Sequence, residues 1–192
     1  MLDIQTQLFE GSDIRFGPID YEKDPQIESK WTHDSDFMRM YVTDPARPMS
    51  AAMVKKQYEK LEKEIDEEKN MYYFAIRTKE DDRLIGKALV YNIEWSNGNG
   101  AVRIGIGSAD DRRKGYGSQA MGLVLRYMFA ELNLFRVAMY VPEYNEAAIA
   151  LARKFGFEEE VRRRKALSRD GQRWDYLVFG LLQEDWAKQA RA

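Results

Sequence analysis

Arg112-Arg113-Lys114-Gly115-Tyr116-Gly117 packs three cations and two glycines into six consecutive residues. The stretch follows a strand-like run, Val102-Arg103-Ile104-Gly105-Ile106, and opens an amphipathic helix that begins near Ser118. Strand, glycine loop and helix in that order make an anion cradle. Glycine lets the backbone turn tightly and approach a ligand. The free N–H groups of a first helical turn, with the positive end of the helix dipole, then suit a phosphate or pyrophosphate. The loop lacks Gly-Lys-Ser/Thr, so it is not a Walker sequence. The residue three beyond Gly117 is Ala120, so Gly115 and Gly117 do not complete a dinucleotide fingerprint.

The elements that must hold such a loop can be read from periodicity. Ile14 to Ile19 alternates apolar and polar residues as a strand does. Asp20 to Ser29 is polar and suits a short helix or turn, and Trp31 to Pro48 reads as irregular and aromatic-rich, a length of connection that suits a binding-site wall. Ser50 is a plausible cap for a helix running to about Lys69, with Val54, Tyr58, Leu61 and Ile65 on one face. Met71 to Thr78 and Leu84 to Glu94 read as strands, and Asn97-Gly98-Asn99-Gly100 turns the chain into the strand before the loop. After it, Met121, Leu125, Met128, Phe129 and Leu132 form the packing stripe of a helix. Phe135 to Val141 is a strand, and Asn145 to Gly156 bounds another helix. Glu159 to Leu167 and Arg173 to Leu181 make a hairpin about Asp170-Gly171.

Composition sets limits. At 192 residues and 44% hydrophobic, the chain can bury a sizeable core as one α/β domain over residues 1–192. No apolar run approaches the ~18 residues of a membrane span, and the acidic start carries no signal-peptide pattern, so a cytoplasmic protein without membrane partners is expected. The absence of cysteine excludes disulfides, thiolate metal sites and a cysteine nucleophile. A net charge of −2 speaks against general nucleic-acid binding. Arg162-Arg163-Arg164-Lys165 falls in a strand whose side chains alternate faces, which suits a solvated, charged sheet edge better than a nucleic-acid patch.

The pattern Arg112-x-x-Gly115-x-Gly117 resembles the acyl-CoA pyrophosphate loop of the GNAT superfamily of N-acetyltransferases. Asn145-Glu-Ala-Ala-Ile-Ala-Leu-Ala-Arg-Lys-Phe-Gly156-Phe157 is similar to that family's N-x-x-A-I-x-L-x-x-K-x-G-F segment, and the tail from Asp170-Gly171 to Leu181–Trp186 resembles the branch containing ribosomal-protein and spermidine acetyltransferases. The likeness runs from about Ile14 to Trp186. It implies a mixed, largely antiparallel twisted sheet of about seven strands flanked by about four helices. It also implies acetyl-CoA as co-substrate, no metal, and an amine acceptor (a small amine, a polyamine or a protein N-terminus) that attacks the thioester directly; both a monomer and a homodimer suit it. Backbone N–H groups of Arg113, Lys114, Gly115, Tyr116, Gly117 and Ser118 would hold the pyrophosphate, Arg112 opens the motif, and Ile104, Ile106 and Gly107 would lie along the pantetheine arm. Gly105 and Gly107 inside a strand suit a bulge or close ligand approach. Asn145 would touch the pantetheine, though a plain helix cap would look the same.

Proton handling is where the resemblance thins. Many relatives carry a tyrosine in the second C-terminal helix where this chain has Ala152, and spermidine-type relatives carry a glutamate where it has Val102. Glu94 is a candidate base in their stead, and Tyr116 or Tyr140 a candidate acid, each also suited to a surface carboxylate or a packed ring. His33, the only histidine, has a free pKa near neutrality. Trp31, His33, Asp34 and Asp36 lie in the segment that helps line the acceptor site in the family, where acidic residues attract a cationic amine. The alternative is a binding-only acyl-CoA sensor that kept the cradle and lost the proton handlers.

Overall fold

A computed structural model describes residues 7–189. The chain runs through β1 (Ile14–Gly17), α1 (Asp24–Trp31), α2 (Ser35–Tyr41), α3 (Ala51–Glu68), β2 (Tyr72–Thr78), β3 (Leu84–Glu94) and β4 (Asn99–Ile106). A 3-10 turn at Ala109–Asp111 leads to α4 (Tyr116–Arg126), which continues into a π turn over Tyr127–Glu131. Then follow β5 (Arg136–Pro142), α5 (Glu146–Lys154), β6 (Glu158–Arg169), β7 (Gln172–Leu182) and α6 (Gln183–Gln189). The seven strands form one open sheet in the order β1-β2-β3-β4-β5-β7-β6. Every neighbouring pair is antiparallel except β4–β5, which is parallel.

Alternation along β4 decides what covers each face. Val102 packs into the main core with Met121, Leu125 and Met128 of the α4 side and Val137, Leu177 and Phe179 of the neighbouring strands. Gly105, of opposite parity, lies under Phe37 and Tyr41 of α2. Thus α4 and α5 cover one face, and α1 to α3 cover the other with Trp31, Phe37, Val54 and Tyr58. The apolar stripe of α4 is fully buried at Met121, Val124 and Leu125, which fixes the loop before it to the sheet.

Six α-helices stand among the described residues where about four were expected. The additions, α2 and α6, have seven residues each, too few for a periodic stripe to show. α2 corrects the irregular reading of Trp31 to Pro48. The Asp34 carboxylate caps it by accepting the N–H groups of Asp36 and Phe37 at 3.0 and 3.1 Å, and Asp36 lies in its first turn. Within Asp20 to Ser29, α1 begins at Asp24 with Pro25 in its first turn, where a missing N–H costs nothing. Ser50 caps α3 as expected, accepting from the Met53 N–H at 3.3 Å. β6 is the sheet edge, and Arg162 there pairs with Glu143, Glu159 and Asp175.

Candidate active site

The parallel pair at the centre of the sheet is short. β4 and β5 are in register only at Asn99–Arg136, Gly100–Val137 and Ala101–Ala138. Beyond those residues β4 stays with β3 and β5 stays with β7, so the two strands part. The cleft between them is lined by Val102, Arg103 and Ile104 on one side and Met139, Tyr140 and Pro142 on the other, with Asn145, Ala148, Tyr176 and the Met40–Thr43 segment around it. The Gly107 N–H donates to the Ile85 carbonyl of β3 at 2.9 Å. Backbone groups alternate sides along a strand, so Gly105 also faces β3, and the N–H groups of Ile104 and Ile106 face the cleft.

At the end of β4 the loop forms an anion nest. Asp111 is buried and accepts two hydrogen bonds from the Arg83 guanidinium, at 2.7 and 2.9 Å, which pins the 3-10 turn to the start of β3. Those bonds hold the Asp111 carboxyl below its ordinary value against the opposing effect of burial. Arg113 (φ 62°) and Gly115 (φ 87°) are left-handed, and this alternation turns successive N–H groups to one side. Among the described residues, no acceptor meets the backbone N–H groups of Arg113 through Ser118. A Cβ built on Gly115 would meet nothing within 4 Å, and one on Gly117 only the Ile106 side chain, at 3.9 Å. Unanswered donors, a helix N-terminus and open space together fit a pyrophosphate.

Arg112 turns away from this nest. Its Nε donates to the Ile106 carbonyl at 3.1 Å, and one Nη donates to the Gly107 carbonyl at 2.6 Å and to the Asp34 carboxylate at 2.8 Å. Its guanidinium also lies over the Phe37 ring. Burial alone would raise the Asp34 carboxyl, but the Phe37 N–H and Arg112 outweigh it and hold it below the usual range. Arg112 therefore ties the loop to α2. Gly105 and Gly107 also need a different explanation from a bulge. The β3–β4 ladder is regular from Gly86–Ile106 to Tyr91–Ala101. A Cβ on Gly105 would stand 2.6 Å from the Tyr41 ring, and one on Gly107 would fall inside the Trp31 ring. What approaches these glycines closely is the chain's own aromatic side chains.

Residues 14–158 match the family model of the acetyltransferase (GNAT) domain. The chain belongs to the GNAT acetyltransferase family. It is similar to YnaD of Bacillus subtilis, an uncharacterized N-acetyltransferase, at 27% identity over 118 residues, 61% of this chain and 68% of that one. With YjcK of the same organism, a probable N-acetyltransferase, it shares 36% identity over 131 residues, 66% of this chain and 67% of that one. A crystal structure of spermidine N-acetyltransferase from Vibrio cholerae in complex with CoA and spermine superimposes with a TM-score of 0.78 at 18% identity, covering 91% of this chain and 98% of that chain. Family and relatives together make the protein an acetyl-CoA-dependent acyltransferase.

Within this GNAT scaffold the candidates separate. Tyr140 lines the cleft, half-exposed, beside the ring of Tyr176. Glu94 lies outside this cleft. It pairs in register with Asn99, on the closed side of the strand junction, and accepts the side-chain N–H groups of Asn97 and Asn99, which hold it below its ordinary value. Asn145 caps α5 by accepting the Ala148 N–H at 3.0 Å, and it donates to the Met40 carbonyl at 3.0 Å, fastening the end of α2 to the cleft. Trp31 is buried, His33 and Asp36 are exposed, and Asp34 is committed to the α2 cap and Arg112. Arg113 and Lys114 are exposed at the nest, Tyr116 is half-buried, and the Ser118 hydroxyl accepts from Lys154 at 2.7 Å. Val102 and Ala152 are both buried in the main core.

Three groups escaped the sequence reading: Tyr176, Arg103, and the pair Glu28–Lys87. Their signal was parity. Lys87, Tyr91 and Arg103 share the sheet face toward α1 and α2, and charged residues inside strands of a two-sided core mark a polar site. Glu28 accepts from Lys87 and, at 2.6 Å, from the Tyr58 hydroxyl. Burial alone would lower the Lys87 ammonium, but Glu28 outweighs it and holds it above its usual value. This pair lines a cavity of about 470 Å³ that shares Tyr41 and Val42 with the cleft.

Proposed function

We propose that the protein transfers the acetyl group of acetyl-CoA directly to a primary amine in a ternary complex. The observation that carries this reading is the juxtaposition of the parted β4–β5 strands with the nest at Arg113–Ser118. The nest would hold the pyrophosphate through six backbone N–H groups, so affinity would come from donors that need no reorganisation. Ile104 and Ile106 would offer their N–H groups to the pantetheine and to the thioester oxygen, where charge grows in the transition state. Acetyl-CoA supplies the activated acyl carbon.

In this reading the acceptor arrives from the face covered by α1 and α2, and its amine enters the cleft neutral. A C–N bond forms, the C–S bond breaks, and the amine proton leaves to water. Tyr140 donates a proton to the departing thiolate and regains one from water, a task for which the buried Ala152 is unequipped. A Tyr140→Phe variant should lose about a hundredfold in kcat with little change in acetyl-CoA affinity.

Release of CoA thiol, read against a panel of amines, tests the proposal without background, because the chain has no cysteine. Turnover with a primary amine is expected. Silence in protein that binds acetyl-CoA would overturn the transferase reading and favour the binding-only module.

A further inference from the structure

Charges around the cleft do not balance. Arg103 points from β4 to the α2 side of the sheet, with its guanidinium 5.6 Å from the centre of the Tyr41 ring and 5.1 Å from that of Tyr91. It is half-buried and lines the cleft, yet among the described residues it forms no ion pair. Glu28, a buried carboxylate on this face, is already answered by Lys87 and Tyr58. Arg163 of β6 stands in register with Tyr176 and so shares its face, exposed and also without an ion pair among the described residues. Asp44 and Arg47 add one charge of each sign around the adjoining cavity.

A guanidinium withdrawn partly from water is costly unless paired. Its planar fork matches a carboxylate with two parallel hydrogen bonds. The rings of Tyr41 and Tyr91 supply packing and a weak cation–π attraction, but no counter-charge. Lys87 already occupies Tyr41, with its ammonium 4.7 Å from the ring centre, so that ring is not a free cage for a cationic ligand. The same cations would repel a polyamine.

We propose that the natural acceptor is an amine that also carries a carboxylate, and that Arg103 is the residue that selects it. This rests on the transferase reading for the chemistry, but the recognition itself needs no chemistry. The acceptor carboxylate pairs with Arg103 at the boundary of the cavity and the cleft, leaving its amine directed to the parted strands. Free amino acids and peptides with an acidic first residue both meet this description.

The test is calorimetric binding of matched ligands to the CoA-loaded protein. The pairs are β-alanine against its amide and Asp-Ala-Ala-amide against Asn-Ala-Ala-amide, with spermidine as the cationic comparison. The carboxylate member of at least one pair should bind about tenfold to a hundredfold tighter than its neutral twin. That ratio should collapse toward unity in Arg103→Gln, with CoA affinity unchanged, and be only partly kept in Arg103→Lys. The pair that shows the preference tells a free amino acid from a peptide. Equal binding within both pairs, tighter binding of spermidine, no binding by any member, or a preference that survives Arg103→Gln would each overturn the proposal. Carboxylate preference without CoA release on adding acetyl-CoA would instead overturn the transferase reading and leave the selection by Arg103 standing.

Discussion

From Ile104 to Ser118, the groups that would meet the cofactor in the proposed reading are backbone N–H donors, held by a regular ladder, a left-handed pair of residues and a helix start. Across the sheet, the proposed acceptor face is made of side chains: Tyr41, Lys87, Tyr91, Arg103, Tyr140 and Tyr176, from four strands and one short helix. The first half is a local device, encoded in about fifteen consecutive residues. The second exists only after folding brings distant segments together. Arg112 joins them, since its one side chain bonds the end of β4 and the cap of α2. The difference means that the two halves should fail differently when altered.

The largest effect is expected on the acceptor side. Lys87→Met leaves Glu28 buried without its cation and should cost about 3–5 kcal/mol in chemical denaturation. The double variant Glu28→Gln with Lys87→Met should recover most of that loss, because no charge remains uncompensated. If the double variant is as unstable as the single, the pair is not the cause. Next comes the cofactor side. Gly117→Val meets only the Ile106 side chain and should leave unfolding within about 0.5 kcal/mol of wild type. Acetyl-CoA affinity should nevertheless fall about a hundredfold or more, as charge-assisted bonds to the nest are blocked. Unchanged affinity in folded protein would refute the assignment of the loop.

Gly107→Ala should reverse that pattern. Its new methyl collides with Trp31, so stability should drop by about 1–3 kcal/mol. Asp111→Asn gives an effect of similar size to Gly107→Ala, and the one with a pH signature. The folded Asp111 carboxyl lies below its ordinary 3.8, so its pairing with Arg83 stabilises fully above about pH 4 and is lost as pH falls through the depressed value. The stability gap between wild type and Asp111→Asn should be about 2 kcal/mol near neutrality and close on acidification. A gap that is constant with pH would assign the loss to packing.

These contrasts also explain what could be read beforehand. The strand–turn–helix geometry of the loop was readable because it depends on residue type and spacing over one short stretch, Arg112 to Gly117. The sheet and its α4 stripe were readable because burial imposes periods of two and 3.6. α2 was not, since its seven residues show a cap at Asp34 but no period. Glu94 and Asn99 are only five residues apart, yet which side of the β4–β5 junction they occupy depends on a register that no local pattern reveals. Gly105 and Gly107 did signal close approach, but not that Tyr41 and Trp31 would be the ones approaching. Arg103 and Tyr176 meet only because β7 enters the sheet between β5 and β6.

The most direct test of the cofactor half is amide hydrogen exchange with and without acetyl-CoA. Slowing is expected at Arg113 through Ser118 and at Ile104 and Ile106, with Glu94 and the Arg162–Lys165 run unaffected. Exchange at Arg113–Ser118 that is unchanged at saturating acetyl-CoA, or protection confined to another part of the chain, would contradict the backbone cradle.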